Sequence, residues 1–173
     1  AVLHGRGLVK FSVDSNDNLS AVSADSLLDA SDITFSPDGE SLYSGGRNTE
    51  VKHSKAATGV LEQLYLANEH PIRAVDVSPD GSLVVSAGEE TRVMVWSTAG
   101  KLQQILSSHR GFVNALAFSP KKNGLRLASA GDDGMIFVWN PTQREPLRAL
   151  LGHAGAVNTL VYSKNGKILA SGG

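Results

Sequence analysis

The sequence has no cysteine and few aromatic side chains, which make up 6% of its 173 residues. The absence of cysteine excludes a disulfide framework and thiolate metal sites. The five histidines show no metal-ligand spacing such as His-x-x-x-His and have no cluster of carboxylates beside them. We therefore expect no metal site and no cofactor.

The chain also lacks an excess of charge of either sign and any long apolar run. Sixteen basic residues against seventeen acidic ones give a net charge of −1, so no global field attracts nucleic acid or an anionic membrane. Residues 1–30 contain no apolar segment of signal-peptide or membrane-spanning length. The sequence does not fix the compartment; we expect a soluble protein of the cytoplasm or nucleus with no membrane partner.

Residues 109–140 contain three short apolar runs separated by turn residues. The runs are Phe112–Phe118, Leu125–Ala130 and Met135–Trp139, and the connections are Ser-Pro-Lys-Lys-Asn-Gly and Gly-Asp-Asp-Gly. Proline lacks a ladder donor and glycine supplies positive φ, so both connections favour chain reversals. The pattern predicts an antiparallel meander, which a fourth run, Glu145–Leu151, completes as a four-stranded sheet.

The same unit recurs along the chain at nearly fixed spacing. The turn serine stands at Ser36, Ser78, Ser119 and Ser163, in steps of 42, 41 and 44 residues. The serine of the second strand stands at Ser44, Ser86, Ser129 and Ser171, in steps of 42, 43 and 42 residues. A repeat of this length indicates one supersecondary unit used several times.

These repeats resemble the WD-repeat β-propeller family. The motifs are Gly152-His153, SPDG at 36–39 and 78–81, LASAGDDGMIFVWN at 127–140 and LASGG at 169–173. The resemblance is strong over residues 31–173 and weak over the first 22. It implies an all-β fold, a β-propeller of four-stranded antiparallel blades, with four blades' worth of chain cut in the middle of one blade. It also implies a non-catalytic protein–protein interaction scaffold.

We assign the whole chain to a single, partial propeller. Its units are 1–22 (half blade), 30–66, 71–106, 111–151 and 153–173 (half blade). The apolar positions of the first strands, such as Ile72, Val75 and Val77, step by three and then by two, which predicts a bulge near the start of each inner strand. Ser54 stands where other units have tryptophan, so we expect a looser first blade or a neighbouring side chain in that space.

Several polar residues of the third unit suggest a catalytic triad, because His109, Ser129 and Asp133 follow one another within it. The family resemblance implies instead a structural hydrogen-bond network of these residues with Trp139. We expect the structural role, since a triad is recognised by geometry and not by residue order. The partial networks of the other units contain Ser86 and Trp96, and His153 and Ser171.

The family's binding surface carries the loops before the first strand and the turns between the second and third. Mapped onto this chain, it predicts partner-binding residues at Arg73, Phe112, Asn114, Asn158, Arg47, Glu89 and Asp132. Phe112 packing within its loop and charged residues that are merely solvated remain alternatives. Two other functions also remain open: an enzyme on a propeller scaffold, and a nucleic-acid-binding propeller, for which the scattered arginines and missing aromatic interleaving are unfavourable.

The half blades at the two ends predict that a further strand completes the carboxyl-terminal strand pair. An isolated pair leaves unpaired edge groups and an exposed apolar face. The added strand comes from the chain's own other end, from a second copy in an eight-bladed homodimer, or from missing blades of a longer chain. We favour the longer chain, because the sequence starts at Ala1 and stops inside a repeat.

Overall fold

The computed structural model describes residues 30–173 in full, and before them the backbone of two strands, Val9–Val13 and Leu19–Ser23. Every regular element in these parts of the chain is a β-strand. The two early strands, β1 (Val9–Val13) and β2 (Leu19–Ser23), pair in an antiparallel hairpin. The side chains of residues 1–29, which include the predicted half blade 1–22, lie outside the description.

The remaining strands form three four-stranded antiparallel sheets and a final pair, each sheet ordered as in the sequence. The first blade consists of β3 (Ala30–Phe35), β4 (Ser41–Gly46), β5 (Val51–Lys55) and β6 (Leu61–Tyr65). The second consists of β7 (Ile72–Val77), β8 (Leu83–Gly88), β9 (Arg92–Ser97) and β10 (Leu102–Ser107). The third consists of β11 (Val113–Phe118), β12 (Leu127–Gly131), β13 (Ile136–Trp139) and β14 (Arg148–Leu150). The final pair is β15 (Thr159–Tyr162) and β16 (Leu169–Gly172). The all-β propeller-blade architecture predicted from the repeats is confirmed.

The SPDG segments form the reversals between the first and second strands of two blades. In the first, Ser36 N–H donates to the Ser41 carbonyl at 2.9 Å, and the Ser36 hydroxyl donates to Asp38. Gly39 has φ of 77°, a left-handed conformation that favours glycine. The second segment repeats the arrangement with a Ser78 N–H bond to the Leu83 carbonyl at 2.9 Å.

The inner strands carry the predicted bulges. Register shifts lie between Ala30 and Asp32, between Ile72 and Ala74, and between Val113 and Ala115. One residue of each bulge is left without a partner in the ladder; in the second and third blades these residues are Arg73 and Asn114. Their side chains can therefore serve a purpose other than sheet pairing.

The core lies between neighbouring blades, because the third strands of the second and third blades are apolar on both faces. In β9, Met94 and Trp96 pack with Tyr65 of the first blade, whereas Val93 and Val95 pack with the third blade. Fully burying one such side chain contributes about 1.5–3 kcal/mol. The third strand of the second blade therefore packs against the sheets on both sides of it, as the sequence pattern predicts.

Ser54 takes the register position of the blade tryptophans. Leu42 pairs with Ser54 as Val84 pairs with Trp96. Ser54 has 0% of its surface exposed, and within residues 30–173 its hydroxyl has no hydrogen-bond partner. The expected looseness of this blade stays a prediction.

Candidate functional site

Six of the seven predicted partner-binding residues lie together at one end of the blades. We call them the rim cluster; its members are Arg73, Glu89, Phe112, Asn114, Asp132 and Asn158. The sequence brings them together in a simple way, because the bulge residues and the turns after the second strands lie at the same end of each blade. The seventh residue, Arg47, is exposed in the turn after β4, and no contact joins it to the cluster among the described residues.

Arg73 lies at the centre of the rim cluster. Its Nη1 donates to Asn114 Oδ1 at 2.7 Å, and its Nη2 donates to Glu89 Oε1 at 3.2 Å. Nη1 is also 3.9 Å from Asp132 Oδ2. The guanidinium carbon lies 4.9 Å from the centre of the Phe112 ring, within the range of a cation–π contact. The Arg73 side chain, which belongs to the second blade, therefore contacts three residues of the third unit: Phe112, Asn114 and Asp132.

Asn114 continues the cluster toward the final strand pair. Its Nδ2 donates to Asp132 Oδ1 at 2.6 Å and to the Val157 carbonyl at 3.2 Å, and it lies 3.4 Å from Asn158 Oδ1. Arg73, Asn114 and Asn158 occupy equivalent positions in successive units. The polar chain thus crosses from the second blade to the fourth.

The rim cluster remains accessible although its members are bonded to one another. The side chains of Arg73, Glu89 and Asp132 are 36%, 40% and 41% exposed, and Phe112 is 41% exposed. Ion pairs this exposed contribute little to stability. The cluster, with one cation, two anions and an aromatic ring, therefore has the composition of a binding surface and not of a core.

The hydrogen-bond network of the third blade is complete. The Trp139 indole N–H donates to Ser129 Oγ at 2.8 Å, and Ser129 Oγ lies 2.8 Å from His109 Nε2. His109 Nδ1 lies 3.0 Å from Asp133 Oδ2, which also accepts from the Arg110 backbone N–H at 2.8 Å. Each polar group has a partner, so their burial carries no penalty for unsatisfied groups.

The charges of this network follow from burial and hydrogen bonding. Burial lowers the pKa of His109, although Asp133 acts to raise it. Burial acts to raise the pKa of Asp133, but the Arg110 and Met135 N–H groups and His109 outweigh it, so that pKa is lowered. A neutral His109 with its proton on Nδ1 accepts from Ser129 and donates to the Asp133 carboxylate, which satisfies every bond.

The same geometry is unsuited to nucleophilic catalysis. Ser129 has 0% of its surface exposed and already receives the Trp139 indole hydrogen bond. A serine nucleophile needs access to a substrate carbonyl and donors for the resulting oxyanion. The His109, Ser129 and Asp133 constellation is thus arranged to hold the blade together.

The other blades contain partial networks. In the second, Trp96 Nε1 donates to Ser86 Oγ at 3.1 Å, and Ser86 Oγ donates to Asn68 Oδ1 at 3.1 Å. Glu90, which stands in the place of Asp133, binds Arg92 Nη2 at 3.0 Å instead. Asn68 Nδ2 has no partner within residues 30–173.

In the final pair, His153 Nε2 lies 2.7 Å from Ser171 Oγ in an exposed setting. This contact repeats the His–Ser pair of the third blade without the burial that the third blade gives it.

Sequence reasoning missed two carboxylates on the inner strands. Asp32 Oδ2 accepts from the Val75 N–H at 2.9 Å, and Asp76 Oδ2 accepts from the Phe118 N–H at 2.6 Å. Each therefore ties one blade to the inner strand of the next. Burial raises the pKa of Asp76 to about 6, against the N–H bonds that lower it. The only signal in the sequence is a carboxylate inside an otherwise apolar strand.

Residues 30–173 contain no group of three or more His, Asp or Glu side chains arranged to hold a metal ion. In the same part of the chain, no helix has the length and apolar character needed to cross a membrane.

The family comparison agrees with this geometry. The model of the family described as "WD domain, G-beta repeat" matches residues 61–97, 100–140 and 144–173, more than half of the chain. The chain belongs to the WD-repeat family. Each matched repeat starts with the outer strand of one blade and continues into the next: 61–97 contains β6 to β9, 100–140 contains β10 to β13, and 144–173 contains β14 to β16.

WD-repeat relatives cover most of the chain. The WD repeat-containing protein WDS homolog of Arabidopsis thaliana is 28% identical over 171 residues, which are 96% of this chain and 32% of the relative. The anaphase-promoting complex subunit cdh1 of Dictyostelium discoideum is 28% identical over 140 residues, 80% of this chain and 18% of the relative. The chain thus spans about a third or less of these relatives.

A solved structure shows the same fold. The one titled "Structure of U3-55K" has a TM-score of 0.71 and 19% sequence identity, and the match covers 76% of this chain and 42% of that one. The WD-repeat propeller fold assigned from the repeats is confirmed.

Proposed function

We propose that this WD-repeat chain is a non-catalytic scaffold that binds other proteins through the rim cluster. The observation that supports the proposal best is the exposed polar chain from Arg73 through Asn114 to Asn158, which joins successive units. Its groups are held in place by their mutual bonds, so a partner pays little to order them. Membership of the WD-repeat family and similarity to relatives such as the anaphase-promoting complex subunit cdh1 support a role in assembly.

The proposal extends to an absence of catalysis. The residues that most resemble a catalytic triad, His109, Ser129 and Asp133, are buried and hydrogen-bonded to one another and to Trp139. An enzyme on this scaffold would need a convergent set of reactive groups elsewhere. We further expect the cytoplasm or nucleus as its location.

Binding is tested by capture followed by affinity measurement. A partner captured by the native chain and identified by mass spectrometry is titrated against Phe112→Ala/Asp132→Ala. Loss of a central aromatic and charged contact is expected to weaken binding about tenfold or more. Gln103→Ala, exposed on the outer strand of the second blade, is the control and is expected to bind as the native chain does. Equal affinity of all three proteins would exclude the rim cluster as the binding surface.

We also propose that the free edge of β16 pairs with a further strand. Within the described residues β16 pairs only with β15, and Val161 and Ile168 of this pair are exposed. Exposed apolar edges favour the addition of a strand. That strand comes from β1 of the same chain, from a second copy in an eight-bladed ring, or from further blades of a longer chain.

A further inference from the structure

The turns at the end of the blades opposite the rim cluster differ in charge from one half of the chain to the other. In the first and second blades these turns carry Asp38 and Asp80. Both carboxylates are engaged within their own turns, with Ser36 and with Ser78 and Ser82 respectively. In the third and fourth units the equivalent turns carry cations. We call these cations the basic patch; they are Lys121, Lys122, Arg126, Lys164 and Lys167.

The basic patch is one continuous surface. A methyl group built on Gly166 would lie 3.3 Å from Lys121 Cε, so the turns of the third and fourth units touch. Pro120 and Lys164, one from each turn, line the same groove. The third-blade turn is also longer: Ser119 N–H bonds the Arg126 carbonyl seven residues on, whereas Ser163 N–H bonds the Ile168 carbonyl five residues on. The extra residues of this longer turn place Lys121 and Lys122 at the surface.

The cations of the patch are exposed and lack counter-ions. All five residues are exposed. Within residues 30–173, no carboxylate lies within ion-pairing distance of any of them. Clustered like charges repel one another, and a chain of net charge −1 has enough carboxylates to pair them. Lys122 lines a groove with Asp38 and Asp80, and Lys164 lines another with Asp32 and Asp76, but no ion pair forms in either groove. The five cations are thus without an ion-pair partner among the described residues, which favours an external anionic partner.

The surroundings of the patch suit an acidic protein segment better than nucleic acid. Lysine and arginine bind carboxylate and phosphate alike, but the chain has a net charge of −1 and not the strongly basic balance of a nucleic-acid-binding domain. The single arginine, Arg126, already donates through Nη1 to the carbonyls of Gly124 at 3.1 Å and Leu125 at 2.8 Å. The other four are lysines, which act as mobile point charges. The patch also offers no exposed aromatic ring on which a base could stack, since Tyr162 is partly buried.

From these observations we infer that the basic patch is a second protein-binding surface, which takes an Asp/Glu-rich segment of a partner. It lies at the opposite end of the blades from the rim cluster and works independently of it. Electrostatic attraction of this kind acts mainly on the rate of association and is screened by salt.

The test is fluorescence anisotropy with a labelled poly-glutamate peptide at low and at physiological ionic strength. Lys121→Glu/Lys164→Glu is expected to weaken binding about tenfold or more at low salt. Arg47→Glu/Arg110→Glu makes the same change in net charge at the other end of the blades and is the matched control, expected to remain within about twofold of native. The rim variant Phe112→Ala/Asp132→Ala should bind the peptide as native does, which separates this inference from the proposed function.

Three results would overturn the inference. Equal loss in the two charge-reversed variants would mean that only net charge matters. A native chain that does not bind the peptide would exclude the surface. Tighter binding to a duplex oligonucleotide or to phosphatidylserine vesicles than to the peptide would assign the patch to nucleic acid or to a membrane. Melting curves of all variants, together with Lys121→Gln/Lys164→Gln, show that any loss comes from the charges and not from unfolding.

Discussion

Both ring nitrogens of His109 are hydrogen-bonded in a buried site, whereas His153 makes a similar bond to Ser171 at the surface. Replacing His109 by alanine removes one buried hydrogen bond from Ser129 and one from Asp133, and we expect a loss of about 2–3 kcal/mol in the free energy of unfolding. His153→Ala is the matched control and should cost less than about 1 kcal/mol. Urea unfolding of the two variants measures the difference. Similar losses in both would contradict a special role for the buried network.

Asp76 should make stability depend on pH. Its pKa is raised by burial from 3.8 to about 6 in the folded chain, so the folded state holds this proton more tightly than the unfolded state does. The corresponding stability is present below about pH 4 and is lost as pH rises through about 6, a change of about 3 kcal/mol. The unfolding free energy of the native chain, less that of Asp76→Asn, is measured from about pH 4 to about pH 8. This difference should fall by that amount as the pH rises. A difference that does not vary with pH would exclude this carboxyl as the source.

At the scale of the strands, the bulge brings the inner strand close to the end of the second strand. The Asp132 N–H donates to the Phe112 carbonyl at 2.9 Å, next to Gly131. A methyl group on Gly131 would overlap that carbonyl oxygen, which belongs to the backbone and cannot easily move. Glycine is therefore required at position 131 because the Phe112 carbonyl leaves no room for a side chain, and not because the backbone adopts a positive φ.

Gly131→Ala is expected to destabilise the chain by about 1–3 kcal/mol, because the third-blade bulge must shift to admit the methyl group. Gly155→Ala is the control: nothing lies within 4 Å of a methyl group built there. Thermal melting compares the two. If Gly131→Ala melts at the same temperature as Gly155→Ala, the close approach does not constrain the blade.

The elements were more predictable from sequence than their contacts. Strands, turns and bulges follow from short-range patterns such as the spacing of Ile72, Val75 and Val77, because sheet faces impose a local period. The carboxylates of Asp32 and Asp76 were not predictable, since their partners are backbone N–H groups of another blade, 43 and 42 residues away.

In the rim cluster and the basic patch, too, the positions of residues were easier to predict from sequence than their contacts. The resemblance placed Arg73 and Asn114 on one surface, but their direct bond depends on side-chain conformation. From the sequence, Glu90 could have been given the same role in its turn as Asp133. Only the structure shows that it accepts a hydrogen bond from Arg92 instead. The basic patch was missed because its residues belong to two turns that are separate in sequence and meet only when the units stack.

At the scale of the whole molecule, the free edge of β16 predicts association. A mass measurement in solution distinguishes the sources of the added strand for the chain of 18.2 kDa. A stable dimer is expected if a second copy supplies the strand in an eight-bladed ring. A compact monomer is expected if β1 of the same chain pairs with β16. Aggregation is expected if further blades are needed to cover the edge. A monomer whose β16 amides exchange freely with solvent would contradict completion of the sheet.

The most direct test of the central claim is site-specific photo-crosslinking at the rim cluster. A benzophenone amino acid is placed at Phe112 in one protein and at Gln103, which is exposed on the outer strand of the second blade, in another, and both are irradiated with a native extract. The account predicts that discrete protein adducts form mainly from position 112 and decrease when Asp132 is also replaced by alanine. Equal adduct yields at the two positions, or adducts only from position 103, would contradict binding of partner proteins at the rim cluster.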